Sequence, residues 1–467
     1  MASSNPLNIS ISDVKIQKFN KTDQMSIMPQ FVEISIFQSI FEPAISAEML
    51  INDEIGLFFN YPFTGEELIT ITYDQINTGG SNLYNARTGS EIKFIIKGVR
   101  NVIVGDRARS MMYILDLVTP QYLQNTRKYV SHAYNDLVED MAEKVYNEYI
   151  AEDTTKQFNL TKPFIKEESL KVRQMVVPNL RPFQALSWLA KHAVAKEYEK
   201  HFMYLFFEDR DNYNFITIQK IIEDALKIKS QLQQNKYRYI SDAEIVKKAP
   251  TGSSSDELRL ITNIVNNKRF SSIEKIAGGY YQNELFEINM LQKGYKSEPS
   301  ELSGTLDNTV PTLGPYPLNT PDYIKYVKNE IQDTEYSNRI RYIVNNYPDN
   351  DGQGMSQPLY RRKFGLGTTY LFALNQMDFT ITVPANMNLK AGQVIYCELP
   401  ESHGFNTVSY DKYVSGLFII SEIKQVLAQG NMATTSIRIY KDGYTTGLYE
   451  NSLYSSSSTQ NGNRGNR

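Results

Sequence analysis

Residues 31–37, FVEISIF, alternate, with Val32, Ile34 and Ile36 facing one way and Glu33 and Ser35 the other. A period of two predicts a half-buried strand. Residues 44–51 alternate again through Ile45, Ala47, Met49 and Ile51, with Pro43 just ahead of the run, where its missing N–H does little harm. The next stretch, NDEIGLFFNYP, breaks the period. Asn52 or Asp53 can cap a short helical turn there, and Gly56 can supply an unusual backbone angle. LITITYD resumes alternation through Ile69, Ile71 and Tyr73, and EIKFIIKGVRNVIV and SMMYILDLV give two more strands joined by a GDRAR turn. Residues 1–120 are therefore expected to form a closed or nearly closed antiparallel β-domain.

The period then changes. SHAYNDLVEDMAEKVYNEYI places Tyr134, Leu137, Val138, Met141, Val145 and Tyr149 on one stripe, which predicts a helix with Ser131 as its N-cap. RPFQALSWLAKHAV predicts a second helix with Pro182 at its first position and Phe183, Leu186, Leu189 and Ala193 on its stripe. FMYLFFEDRDNYNFITIQ predicts a hairpin about an Asp-Arg-Asp-Asn turn. Strand-like residues return at 261–290, where Gly278 and Gly279 suggest a bulge or sharp bend. Residues 296–321, with Pro299, Pro311, Pro315, Pro317 and Pro321, predict a long irregular excursion of the kind that usually serves an interface. TPDYIKYVKNEIQ predicts a helix, and NNYPDNDGQGMSQP another loop. A last β-block, residues 371–440, contains DFTITVP, GQVIYCELP, SGLFIISEIKQVL and TTSIRIYKDG, and the low-complexity end SLYSSSSTQNGNRGNR is expected to be disordered. FTGEELITITY and LKAGQVIYCEL form a faint internal echo, each with glycine and a polar residue ahead of an alternating strand.

Composition narrows the function. A length of 467 residues suggests two to four domains. Tyrosine, at 32 copies against one tryptophan, favours strands and contact surfaces. A net charge of -3 without a basic stripe argues against nucleic-acid recognition, and the densest basic run, Arg361-Arg362-Lys363, reads as a solvated loop. The sole cysteine, Cys397, excludes an intrachain disulfide and is expected to be a buried structural thiol. The N-terminus MASSNPLNIS lacks the pattern of a signal peptide, and no apolar run reaches the roughly 18 residues of a membrane span. The expected location is the cytoplasm, or an assembly built there.

Candidate chemistry is sparse. His132, His192, His201 and His403 include no His-x-x-x-His pair, so a zinc site would need carboxylates and distant histidines, and none is expected. Asp349, Asp351, Gln353 and Gly354 fit the start of a calcium loop, but Tyr360 stands where the bidentate glutamate is required. Gly365 and Gly367 lack the third glycine of a dinucleotide loop, and there is no Gly-x-Ser-x-Gly elbow. Glu42, Asp53, Glu54, Glu66 and Glu67 could in principle supply a glycosidase pair, yet each has an ordinary part in a turn or in solvation. No catalytic, cofactor-binding or metal residue is therefore assigned, and no cofactor or enzymatic activity is expected.

The stretch SIFEPAISAEMLINDEIGLFFNYPFTGEELITITY resembles the N-terminal signature of central hub proteins from the baseplates of contractile-tailed bacteriophages, with the hub region of type VI secretion spike proteins a more distant relative. It carries SIFEP, a D-x-x-G-L turn at Asp53, Gly56 and Leu57, and P-x-x-G-E at Pro62, Gly65 and Glu66. VPNLRPFQALSWLAKHA, YLFFEDRDNYNFITI, IAGGYYQNELFEINML, ITVPANMNLKAGQVIYCELP, KYVSGLFIISEIKQVL and IRIYKDG follow in the same order, to about residue 446. The family's closing segment often carries a histidine where this chain has Gln425, a position outside any catalytic role.

The resemblance implies a β-rich α+β chain with two tail-tube-like antiparallel β-barrel domains and a helical α+β insertion. Residues 1–120 would be the first barrel, and 121–258 the insertion, part of which could complete that barrel. Residues 259–446 would be the second barrel with long loop excursions, and 447–467 a disordered tail. It further implies a homotrimer in the virion baseplate, assembled in the host cytoplasm. The trimer would adapt the sixfold tail tube ring to the threefold central spike, contact wedge or other baseplate proteins, and line the DNA passage. A lumen carrying DNA should avoid strong positive charge, with which the weak net negative charge is compatible. Three alternatives stay open: a hub from a genome-free injection machine, a tail-associated cell-wall hydrolase using acids such as Glu42 or Asp53, and a receptor-binding tail-tip protein.

Overall fold

The computed structural model describes residues 9–18, 21, 23–75, 87–105, 110–158, 160, 162–239, 259–269, 272–279, 283–289, 293–300, 310–314, 316–317, 339–345, 366–367, 369–401, 409–429 and 432–446. The expected helix at TPDYIKYVKNEIQ, the DNDGQG loop, Gly365, His403 and the C-terminal tail lie outside these residues.

The N-terminal block has seven strands: β1 (Ile9–Gln17), β2 (Gln24–Ser26), β3 (Phe31–Ser39), β4 (Ser46–Asp53), β5 (Leu68–Gln75), β6 (Arg87–Val104) and β7 (Met111–Val118). They lie antiparallel in the order β3-β4-β7-β6-β5-β1-β2. Alternate residues point to one core, including Ile34, Met49, Ile71, Phe94, Tyr113 and Leu115. Two departures from the expected pattern have the same cause. A bulge between Phe31 and Glu33 puts Phe31 in the core and leaves Val32 half-buried. In β1, which the alternation did not predict, a bulge between Ile11 and Asp13 moves the inward set to the even positions Val14 and Ile16.

The middle of the chain holds α2 (Gln121–Arg127), which follows the single-turn α1 (Leu57–Asn60) in the helix numbering. It continues with β8 (Ala133–Asp136), α3 (Val138–Tyr146), α4 (Glu152–Phe158), β9 (Phe164–Lys166), β10 (Arg173–Val176) and α5 (Pro182–His192). The expected helix over 131–150 starts late. Ser131 caps nothing, because Tyr134 lies in β8 paired with Met175, and α3 begins only after Leu137. Residues 133–136 gain ladder bonds from β10 that outweigh a weak helix start. Pro182 opens α5 as expected. The expected hairpin is β11 (Tyr204–Glu208) with β12 (Tyr213–Thr217), joined in a three-stranded sheet by β9. Leu186 and Leu189 of α5, Met141 and Val145 of α3, and Phe206 and Phe215 of the hairpin share one core. Next come α6 (Ile218–Lys227) and α7 (Lys229–Gln234).

β13 (Tyr237–Tyr239) follows, and the last block begins with β14 (Leu260–Ile261) and β15 (Asn263–Arg269). Residues Ser272–Ala277, expected to be extended, form a helix instead. Gly279, at φ +77°, stands just past its end, so the glycine pair ends a helix rather than bulging a strand. Then come β16 (Asn283–Asn289), β17 (Gly294–Ser300), β18 (Tyr316–Pro317) and β19 (Arg339–Asn345). β17 makes an ordered strand of the start of the expected excursion, paired antiparallel with β16, while β19 runs parallel to β16 on its other side. The final strands are β20 (Met377–Pro384), β21 (Val394–Glu398), β22 (Gly416–Ala428), β23 (Met432–Lys441) and β24 (Gly443–Tyr444). Their core includes Phe379, Ile381, Cys397, Phe418, Ile437 and Ile439.

The two β-blocks meet at β22. One of its edges pairs with β23. The other is divided: Gly416–Ile419 pair with β21, and Glu422–Ala428 pair with β3 of the N-terminal block. The changeover falls at Ser421, where the register with β23 also shifts, and the Ile40 N–H donates to the Ser421 carbonyl at 3.0 Å. One fourteen-stranded sheet therefore runs through both blocks. At its other end, β13 of the expected insertion pairs with β14 and β21 of the last block. β15 pairs with β20, and between them the Thr262 N–H donates to the Thr382 carbonyl at 2.9 Å.

Candidate functional site

The acidic stretch is built from backbone-capping carboxylates. Asp53 ends β4, fully buried, and its Oδ1 accepts from the N–H groups of Ile55 (3.2 Å) and Leu57 (2.7 Å) while Oδ2 accepts from Phe58 (2.8 Å). These donors are the otherwise orphaned amides at the start of α1. Gly56 enters α1 at φ +72°, a left-handed angle that a side chain makes costly. Leu57 and Phe58 then pack on the N-terminal core, Phe58 against Phe63 and Tyr113.

Glu67 works in the same way at the entrance to β5. Its buried carboxylate accepts from Thr64 N–H (2.7 Å), Thr64 Oγ1 (2.8 Å), Gly65 N–H (3.0 Å) and Glu66 N–H (3.2 Å). Burial pushes its pKa upward, but the hydrogen bonds outweigh burial and hold it below the usual carboxylate range. Glu42, Glu54 and Glu66 are exposed. Glu42 lines a surface cavity of 490 Å³ with Tyr122, Arg181, Trp188 and Lys191, and is the single acid among its lining residues. Among the described residues the cavity offers Glu42 no second carboxylate of the kind that glycosidic hydrolysis uses.

The same end of the N-terminal block is apolar. Pairing sets Asp53 beside Met111, with Val104 on Met111's other side, and Asn52 beside Met112, with Ile103 on Met112's other side. Around this corner Ile55, Phe59, Val102, Ile103, Val104 and Met112 are exposed, Phe59 by 73% and Ile103 by 65%. Sequence periodicity does not reveal this surface, because the β6 end NVIV reads as an ordinary strand.

Other groups are structural. Gln425 on β22 is buried, and its Nε2 donates to the Asn386 carbonyl at 2.9 Å. Cys397 is buried, as expected, and burial raises its pKa well above the thiol range. Nearby Lys441 is fully buried and its Nζ donates to the Val414 carbonyl at 2.7 Å; desolvation pulls its pKa down to about 7. His132 packs against Tyr134 and His192 against Trp188. His201 is different. It is buried, its Nδ1 lies 2.7 Å from Glu167 Oε1, and its Nε2 faces Glu223 Oε2 at 3.9 Å. Glu197 completes a group whose potential ligand atoms lie within 4.8 Å of one another. The sequence signal was the four-residue spacing of Glu197 and His201; Glu223 is brought in only by the fold.

No family model and no curated protein matches the sequence. Solved structures do. The chain is similar to a tail protein from Neisseria meningitidis MC58, at 11% identity and a TM-score of 0.47 over 92% of this chain and 96% of that one. It is similar to the 43 kDa tail protein of prophage MuSo2 from Shewanella oneidensis, at 10% identity and a TM-score of 0.47 over 92% and 98%. A third likeness is to the half-lidded PdpA–VgrG complex of Francisella, at 9% identity and a TM-score of 0.44 over 93% of this chain and 58% of that one. Among the described residues no helix is long and apolar enough to cross a membrane.

Proposed function

We propose that the chain is a structural protein of a contractile-type tail baseplate. In this reading it is a trimeric central hub in the virion, assembled in the host cytoplasm, that joins the sixfold tail tube to the threefold spike and borders the DNA passage. Wedge or other baseplate proteins would be further neighbours. The observation that carries the reading is the apolar corner formed by Ile55, Phe59, Val102, Ile103, Val104 and Met112. Several exposed apolar side chains gathered at one end of a block suit burial against another subunit. We assign that surface to a second copy of this chain.

The paired β-blocks support the same reading. Residues 1–120 and 259–446 would be two tube-like barrels, with 121–258 inserted between them and 447–467 a tail. Gly65 before β5 and Gly392 before β21 have left-handed φ of +86° and +82°. At each strand entrance a polar side chain reaches back three residues: Glu67 to Thr64 N–H at 2.7 Å, and Gln393 to Lys390 N–H at 3.3 Å. Duplicated barrels would leave such an echo. The backbone donors that Asp53 and Glu67 already accept from support a role in architecture rather than hydrolysis.

Light scattering on the purified chain, alone and co-expressed with its neighbouring spike protein, tests the proposal. A mass of about three chains in either sample supports the hub. A chain that stays monomeric in both samples overturns it, and a cell-wall hydrolysis assay on Glu42 and Asp53 variants becomes the next step.

A further inference from the structure

We infer that Glu197, His201 and Glu223 bind one divalent cation of the zinc class, with Glu167 positioning the imidazole. The backbone supports the arrangement first. The His201 N–H donates to the Glu197 carbonyl at 2.9 Å, closing a helical turn that sets the two side chains on one face. Glu223 arrives from α6, the helix that follows the β11–β12 hairpin.

The histidine is oriented from behind. Glu167 Oε2 accepts from both the N–H and the Oγ1 of Thr217, each at 2.7 Å, so its other oxygen is fixed toward His201 Nδ1. A carboxylate held this way draws the Nδ1 proton and leaves the lone pair on Nε2, as in carboxylate–histidine–metal sites. That Nε2 is buried and has no hydrogen-bond partner among the described residues. It faces Glu223 at 3.9 Å, too far for a hydrogen bond. Two ligands of one tetrahedral zinc ion stand about 3.4 Å apart, so a small inward movement suffices.

The donor set selects the metal. One imidazole nitrogen with two carboxylates suits zinc and its neighbours, whereas calcium and magnesium prefer oxygen alone. Three protein ligands leave a fourth position for water. Lys200 near Glu197, and Lys220 and Lys227 near Glu223, all at 3.5 Å, are the competing cations. They are partly or well exposed and can swing into solvent. The ion would join the 196–200 turn to α6, whose Ile218 and Ile222 pack in the core shared with Val394 and Leu417 of the last β-block.

The test uses the full chain without a histidine tag, stripped by chelator and dialysed against Zn²⁺ or Co²⁺. One ion per chain should bind, and the bound Co²⁺ should show the visible absorption of a low-coordinate site. Glu197→Gln and Glu223→Gln should each weaken binding at least tenfold, and Glu167→Gln by about 10- to 100-fold through the imidazole. Glu197 is exposed, so its variant keeps the fold, which circular dichroism verifies. Absence of saturable binding by the unaltered chain overturns the proposal. So does binding that is equal in Glu197→Gln, Glu223→Gln and the unaltered chain, since the ion then sits elsewhere. Either failure leaves the oligomeric mass, and hence the hub reading, untouched.

Discussion

The Lys162 ammonium meets the Glu208 carboxylate at 2.5 Å, in a place where Glu208 is removed from water. Glu208 also accepts from the Ile45 N–H and from Thr119 Oγ1, each at 2.8 Å. One carboxylate on β11 thus ties the inserted hairpin to the start of β4 and the end of β7. Glu208→Ala leaves two buried donors without their acceptor and the Lys162 ammonium without its counter-ion, with only the Asp209 carbonyl at 3.1 Å still accepting from it. The expected loss is about 3–5 kcal/mol in urea unfolding. A loss below about 1 kcal/mol would show that this junction contributes little.

Asp53 predicts a second, local effect. Asp53→Ala removes the acceptor of three backbone N–H groups around α1 and should cost about 2 kcal/mol. Gly56→Ala, at φ +72°, should cost about 1–2 kcal/mol. If the pair instead acted in catalysis, Asp53→Asn would abolish an activity while leaving the melting temperature unchanged.

Glu67 gives a prediction in acid. Its folded pKa is below its unfolded value, so its contribution is complete above the unfolded pKa, about 4.3. The contribution is lost as pH falls through the folded pKa. Denaturant midpoints measured from pH 6 down to 3 should fall more steeply for the unaltered chain than for Glu67→Gln.

Lys441 moves stability with pH in the same direction, as a penalty relieved rather than a contribution gained. Its folded pKa, near 7, is below the unfolded value, so between about pH 7 and 10.4 the unfolded chain binds the extra proton. Stability should rise with pH in that window by up to about 1.4 kcal/mol per unit from this group. Lys441→Met should remove that rise, seen as a flatter pH profile of the denaturant midpoint.

Phe59 and Ile103 test the apolar corner without disturbing the core. Phe59→Ser and Ile103→Glu, both at exposed positions, should change chain stability by no more than about 0.5 kcal/mol. Combined, they should lower the mass seen by light scattering. An unchanged oligomer would place the subunit contact elsewhere.

The sequence was legible where one physical period ruled. The strands from FVEISIF to SMMYILDLV and from DFTITVP to TTSIRIYKDG alternate because one face meets a core, and they stand where that pattern put them. β1 was hidden because the bulge at Ile11 and Asp13 exchanges odd for even positions midway. Tyr134 was misread because its strand partner, Met175, lies 41 residues away. The roles of Asp53 and Gly56 could be read from turn chemistry, since capping is a matter of neighbours. The meeting of His201 with Glu223 could not, because it depends on how α6 packs.

The split edge of β22 has a mechanical corollary. Gly416–Ile419 and Glu422–Ala428 are parts of one extended chain, yet they are stitched to opposite halves of the molecule. No flexible linker separates those halves at this point. To swing the N-terminal block away from the last one, the ladder bonds between β3 and Glu422–Ala428 would have to rupture. A pull delivered at one half is therefore passed on along a continuous covalent strut, and the molecule yields by breaking rather than by bending.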